Sequence, residues 1–251
     1  MPTTMLGKAG REITHSKHLA ENRPELVWGW GTHAGAARAI RRADLIAKGA
    51  HLGPTSKVLE IGCGTGLFTE LFAQRGAHIL AVDISDKLLG MARERKLPSD
   101  RIEFLEARFE DCSLRGPFDA VIGSSILHHL DLKVALSKIY HLLKPGGFMC
   151  FAEPNYLNPQ VFIERKSPFF RSIFWYVSPD ETAFLRWKLN NLVIKLGFES
   201  SGIVPFDWLH PATPQAFIKP LQWVGGVLEK MPIMREFSGS LLIRCRRPMN
   251  S

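Results

Sequence analysis

Twelve residues constrain this chain more than any others: Val58-Leu59-Glu60-Ile61-Gly62-Cys63-Gly64-Thr65-Gly66-Leu67-Phe68-Thr69. Lys57 to Ile61 is a short, branched apolar run bounded upstream by Gly53-Pro54-Thr55-Ser56. That is the pattern of a strand buried on both faces of a parallel sheet. Glycines at alternate positions 62, 64 and 66 follow, and Leu67 to Ala73 then runs at helical spacing. The glycines therefore occupy a tight turn between a strand and a helix. Without Cβ atoms they can take positive φ and let a ligand approach the backbone. The helix that follows points unpaired N–H groups and a positive dipole end at that ligand.

Three details narrow the ligand. The spacing is G-x-G-x-G, whereas dinucleotide sites carry G-x-G-x-x-G. Glu60 stands two residues before the first glycine, where a carboxylate disfavours a pyrophosphate and suits an amino group. The next apolar run, His78-Ile79-Leu80-Ala81-Val82, ends in Asp83. A carboxylate at the tip of a second strand accepts hydrogen bonds from both hydroxyls of a ribose. A ribose joined to a cationic amino acid describes S-adenosylmethionine rather than NAD.

On these residues the chain resembles the class I S-adenosylmethionine-dependent methyltransferases of the small-molecule type. Glu60 to Gly66 resembles their motif I, and Ala81-Val82-Asp83-Ile84-Ser85 their motif II. Phe118-Asp119-Ala120-Val121 resembles their fourth strand, and Leu143-Lys144-Pro145-Gly146-Gly147 the turn before the fifth. The match is strong from Lys57 to Glu153 and weak elsewhere. It implies an α/β fold with a Rossmann-like sheet of seven strands in the order 3-2-1-4-5-7-6, the last antiparallel, and helices on both faces. It implies S-adenosyl-L-methionine as cofactor, held by Glu60, Gly62, Cys63, Gly64, Gly66, Asp83 and Ile84. Arg108 and Phe109 are then expected at the adenine, and Ser124 at the tip of strand four. The family often has an acid where this chain has Ala107.

The whole chain, 1–251, reads as one such domain. Residues 1–50 are expected to form an N-terminal lid, in which Trp28 and Trp30, interleaved with glycines, either cover the cofactor or pack on the sheet. A helix over Ala34 to Gly49 carries Arg38, Arg41 and Arg42 on its polar side. Further helices are expected over 67–75, 86–96 (capped by Ser85 or Asp86) and 131–143, with strands over 79–82, 101–105, 118–123 and 148–152. Ser178-Pro179-Asp180-Glu181 has the form of a helix start, with Gly197 as the stop. Strands over 198–206 and 240–245 close the sheet. Segments 154–178 and 207–239 are expected as insertions covering the substrate. Within the second, Pro214 to Met231 has apolar residues at helical spacing. The favoured reading is a helix over the pocket or against the core. The competing one, a membrane-surface helix, finds only Lys219, Glu229 and Lys230 as charges.

Methyl transfer is an in-line displacement that needs alignment, exclusion of water and, for some acceptors, a base. Candidates must stand at the carboxyl ends of the strands. His129 and His128 follow strand four and lead the field, His129 first. Glu153, at the tip of strand five, is a second base or substrate contact, and His210 a remote third. No metal is expected. Ser125 and His128 stand where the similar quinone O-methyltransferases carry glutamates, and Cys63, Cys112, Cys150 and Cys245 form no C-x-x-C pair. Ser124-Ser125-Ile126-Leu127 replaces the Asn/Asp-Pro-Pro-Tyr tetrapeptide of nucleobase amine methyltransferases, which argues against nucleic acid. The formal net charge of +8 is scattered along the chain and marks no RNA-binding module. With no long apolar run and no signal-peptide core in Met1 to Arg23, the expected location is cytoplasmic. The sequence thus predicts methylation of a small organic acceptor with an apolar or aromatic body, at oxygen. Nitrogen or carbon methylation of a natural product or lipid-linked substrate stays open, as does a non-catalytic S-adenosylmethionine-binding protein.

Overall fold

β-Branched and apolar runs alternate along this chain with helical ones, and the strands assemble side by side because no single run can bury both its faces alone. The computed structural model describes residues 21–166 and 183–250. Its strands are β1 (Lys57–Ile61), β2 (His78–Asp83), β3 (Ile102–Glu106), β4 (Phe118–Ser124), β5 (Leu143–Pro154), β6 (Glu199–Phe206) and β7 (Ser240–Arg246). They form one sheet in the order β3-β2-β1-β4-β5-β7-β6. β1 pairs in parallel with β2 and with β4, through Leu59↔Leu80 and Leu59↔Val121. β7 is antiparallel to both β5 and β6. This is the seven-stranded order expected from the sequence.

Helices α1 (Pro24–Val27), α2 (His33–Gly49), α3 (Leu67–Ala73), α4 (Asp86–Glu94), α5 (Leu132–Leu142), α6 (Pro159–Lys166), α7 (Arg186–Lys195) and α8 (Ile218–Leu228) connect or cover the strands. Successive strand residues feed opposite cores, as the two-residue side-chain period requires. Val58, Ala120, Ile122 and Ala152 face Ile46 of α2 and Phe72 of α3. Leu59, Val121 and Phe151 face Leu136 and Ile139 of α5 and Val193 of α7. Ser85 caps α4 by accepting from Leu88 N–H, and Asp131 caps α5 by accepting from Lys133 and Val134.

Four expectations need correction. The Lys144-Pro145-Gly146-Gly147 turn is absorbed into β5 as an outward loop: Phe118 pairs with Leu143, and the register resumes at Ala120↔Phe148. A helix from Ser178 cannot run unbroken to Gly197, because Phe184 makes a parallel bridge to Asn155 and α7 begins only at Arg186. The Ser178 and Glu181 capping pattern lies outside the described residues, as does segment 167–178. The helix over 214–231 contracts to a 3-10 turn (Gln215–Phe217) and α8, and only Gly225 of α8 is buried. It therefore does not pack its apolar side on the core. Finally, Arg42 is 3% exposed rather than on a solvent face.

Candidate active site

The carboxyl ends of β1, β2, β4 and β5 and the first residue of β7 open into one cavity of about 660 Å³, bordered by Ile61, Asp83, Ser124, Pro154 and Ser240. Two segments wall it from above. The α1–α2 hairpin brings Trp28, Gly29, Trp30 and Thr32, and the stretch after β6 brings Asp207 to Ala212. These walls hold each other. The Thr32 hydroxyl caps α2 by accepting from Gly35 N–H at 2.9 Å and donates to the Pro211 carbonyl at 2.7 Å. Trp30 packs edge-on to Phe68 at 5.4 Å. Glu25 of α1 accepts from the Thr65 hydroxyl at 2.7 Å, tying the hairpin to the glycine turn.

That turn takes its shape from residues without side chains. Gly62, Gly64 and Gly66 all have positive φ, +69°, +51° and +75°. A Cβ on Gly62 would sit 2.4 Å from Ile126. A Cβ on Gly64 would meet nothing nearer than the Trp28 ring at 3.6 Å, so the cavity reaches the Gly64 backbone directly. Gly64 N–H donates to Asp83 Oδ2 at 2.8 Å, and Ser85 N–H to Oδ1 at 2.9 Å. Burial raises the Asp83 pKa above the ordinary carboxylate value, against the pull of these N–H donors and of the neighbouring His129. The result is a carboxylate locked in one orientation at the cavity wall. It suits a ribose diol, and the open Gly64 backbone suits the amino-acid end of an adenosyl sulfonium.

Across the cavity, Glu153 is fully buried and accepts Ile126 N–H at 2.9 Å, Leu127 N–H at 2.8 Å and His128 Nδ1 at 2.6 Å. Burial alone would raise its pKa; the His128 ring and the two N–H donors outweigh it and hold Glu153 below the usual value. The His128 and His129 rings lie 4.2 Å apart, and both border the cavity. Among the described residues no group of three or more His, Cys, Asp or Glu side chains is placed to hold a metal ion.

Of the residues expected at the cofactor, Gly62, Cys63, Gly64, Asp83, Ile84, Arg108, Phe109 and Ser124 border this cavity. Glu60 and Gly66 are not among its walls. Glu60 is 1% exposed, and its Oε2 finds no partner in the described structure. Burial, with a smaller push from Asp83 and against the Thr69 hydroxyl, raises its pKa to about 8. Gly66 instead lets α3 pass α4, since a Cβ there would lie 2.9 Å from Ala92. Phe109 is 3% exposed and shared with the core, so only part of its ring faces the cavity. Glu153 is likewise absent from the walls and meets the cavity only by way of its contact with His128. His210 borders the cavity at its rim, held by Gln160 at 3.0 Å.

Arg42 is the wall residue the sequence reading missed. Its guanidinium donates to the hydroxyls of Ser125 at 2.9 Å, Ser124 at 3.2 Å and Ser240, and lies 5.2 Å from the Trp30 ring centroid. Burial, then the neighbouring Arg38, lowers its pKa to about 10, while Asp207 and Glu153 act in the opposite sense. The signal was present in the sequence. Arg42 lies three residues after Ala39 and four before Ile46, on the apolar stripe of α2.

Residues 59–151 match the family described as a methyltransferase domain. Over that stretch the chain is similar to the class I S-adenosylmethionine-dependent methyltransferases. A ubiquinone biosynthesis O-methyltransferase of Xylella fastidiosa is 36% identical over 110 residues, 42% of this chain and 44% of the relative. The chain thus spans less than half the length of that curated relative. The N-methyltransferase NodS of Bradyrhizobium japonicum, solved with S-adenosyl-L-homocysteine, superposes with a TM-score of 0.64 at 16% identity over 95% of this chain and 99% of its own. A geranyl diphosphate C-methyltransferase of Streptomyces coelicolor gives 0.58 at 17% over 82% and 77%. At such identities these two structures show the fold alone. Their names also cover nitrogen and carbon acceptors, so the fold does not choose the atom.

Proposed function

We propose that the chain transfers the methyl group of S-adenosylmethionine to the oxygen of a small acceptor with an apolar or aromatic body. The observation that carries this reading is that one cavity holds both Asp83, braced on Gly64, and His128, braced on Glu153. Asp83 and the Gly64 backbone hold the adenosyl end, and residues 107–109 border the space beyond for the base. Bound there, the sulfonium supplies an electrophilic methyl group.

The remaining steps belong to the protein. Glu153, ionised and acceptor-only, accepts a hydrogen bond from His128 Nδ1–H, which leaves the ring's lone pair on Nε2. His128 Nε2 takes the acceptor's hydroxyl proton as the oxygen attacks, so a neutral acceptor leaves as its methyl ether and the proton stays on the imidazole. His129, whose ring acts on Asp83, lines the donor side. An oriented base favours oxygen: a neutral amine already offers its lone pair, whereas a hydroxyl gains from deprotonation. Trp208 and Leu209 give the acceptor side an apolar, aromatic wall, and Trp28 and Trp30 close the cavity over the glycine turn. The relative named as an O-methyltransferase supports the same choice.

The test is formation of S-adenosylhomocysteine with a panel of phenols, carboxylic acids and amines, for the wild type and the His128→Ala and His129→Ala variants. Phenols are expected to react fastest. His128→Ala is expected to lower turnover by about 10²–10⁴ with cofactor affinity unchanged. His129→Ala is expected to weaken cofactor affinity as well. Equal losses of turnover and affinity in His128→Ala would reduce it to a binding residue. No turnover with any acceptor would favour the non-catalytic reading.

A further inference from the structure

Soluble chains seldom leave large apolar side chains clustered in water. Segment 207–239 does so. Trp223 is 73% exposed and Ile233 76%, and Phe217, Leu221, Val224 and Val227 each expose more than two fifths of their surface. They are not awaiting the core, because α8 already has an inner face. Gly225 lies against Trp208, where a Cβ would approach the Trp208 Cβ to 3.1 Å. Glu229, one turn on, accepts from Arg41 and from Asp207 N–H, both at 2.9 Å. At 100° per residue, Trp223, Val224 and Val227 fall on the side away from Gly225 and Glu229, with Leu221 at the edge of the inner face and Phe217 in the turn before the helix.

The charges around this face are sorted by sign. The segment after Pro214 holds two acids, Glu229 and Glu236. Glu229 is paired with Arg41, and Glu236 with Arg186 at 2.6 Å. Both acids are thus turned inward and neutralised. Lys219, in the first turn of α8, and Lys230, two residues past its end, are exposed. The chain as a whole carries +8. No described helix is long and apolar enough to cross a membrane.

We propose that the outer face of α8 and the turn through Ile233 docks on an anionic lipid bilayer, with its apolar side chains in the headgroup–acyl boundary and Lys219 and Lys230 at the phosphates. Exposed tryptophan, an apolar arc and exposed lysines are what such a surface recognises. A second copy of the chain fits less well, since a symmetric contact would bring the same lysines together. The face is continuous with the cavity. Trp208, Leu209, His210 and Pro211 of the same segment form its wall. Asn158, just before α6, donates to the Phe237 carbonyl at 2.8 Å, and α6 exposes Phe162 and Ile163 beside it. Docking would place the cavity mouth at the lipid surface. The inference concerns this surface alone and stands apart from the methyl-transfer reading.

The experiment uses the full chain and co-sedimentation with vesicles of phosphatidylcholine alone or of phosphatidylcholine with an equal part of phosphatidylglycerol. Anionic vesicles are expected to bind at least tenfold more tightly, with the advantage lost at high salt. The double variant Trp223→Glu/Ile233→Glu should lose at least tenfold in that binding. Its melting temperature and its affinity for S-adenosylhomocysteine should match the wild type, since both side chains are largely in solvent. Should it fail to fold, Lys219→Glu/Lys230→Glu serves the same purpose. Absence of vesicle binding, or binding that neither variant weakens, would overturn the proposal. So would a dimer in sedimentation equilibrium that the first variant dissociates without any vesicle binding. Intact cofactor affinity alongside such a failure would leave the proposed reaction untouched.

Discussion

At the scale of single residues, the site depends on how buried charge is handled. Glu153 satisfies three donors with one carboxylate, and its charge survives burial because each oxygen is used. Glu60 is the opposite case. It is as deeply buried, has no partner on Oε2, and its pKa is raised to about 8. A folded-state value above the unfolded one means the contribution is fully present below about pH 4.5 and is lost as pH rises towards about 8. Replacing Glu60 by Gln keeps the shape and removes the titration. The stability advantage of Glu60→Gln over the wild type is therefore expected to grow from pH 4.5 to pH 8, by about 1.4 kcal/mol per pH unit at most. Denaturant melts at several pH values measure it, and parallel curves for the two proteins would refute the assignment. The identity of Glu60 was plain in the sequence, but its direction was not. Its neighbours in β1 alternate between the two cores, and only the folded chain shows that it is buried away from the cavity.

Elements were legible wherever a local rule decides them. The glycine turn, the Ser85 cap and the Gly197 stop rest on short-range chemistry, whereas the strand order came from the family resemblance. What escaped the sequence was set by tertiary contact. The position of Arg42 on the apolar stripe of α2 was readable, but its partners were not: the hydroxyls of Ser124 and Ser125, at the end of β4, and of Ser240, at the start of β7, are brought together only by the fold. The apolar stripe of α8 suggested a helix over the pocket or against the core, because periodicity gives an amphipathic face without saying what covers it. The α1–α2 hairpin shows how tightly an element can depend on one position. A Cβ on Gly35 would lie 1.8 Å from the Gly29 carbonyl oxygen, a distance no rotamer relieves. Gly35→Ala is expected to push α1 away from α2, cost at least about 2 kcal/mol, and weaken cofactor binding through displaced Trp28 and Trp30. A melting curve with a cofactor titration checks this, and an unchanged pair of values would mean that the hairpin is not a fixed wall.

For the molecule as a whole, the sheet gathers the carboxyl tips of its parallel strands at one edge, and two walls, the α1–α2 hairpin and the stretch after β6, meet above it through Thr32 and Pro211. Function follows from that convergence: a carboxylate on the first side of β1, an imidazole on the other, and an aromatic roof between. The arrangement predicts selective affinity for an adenosyl amino acid over a dinucleotide. Its central claim is that Asp83 and the glycine turn hold that ligand. Calorimetric titration of S-adenosylhomocysteine into the wild type and into Asp83→Ala tests it most directly. The wild type is expected to bind, and the variant to lose about 1.5–3 kcal/mol, roughly tenfold to a hundredfold in affinity, the worth of hydrogen bonds to a charged group. Equal affinities in the two proteins, or no binding by the wild type, would contradict it.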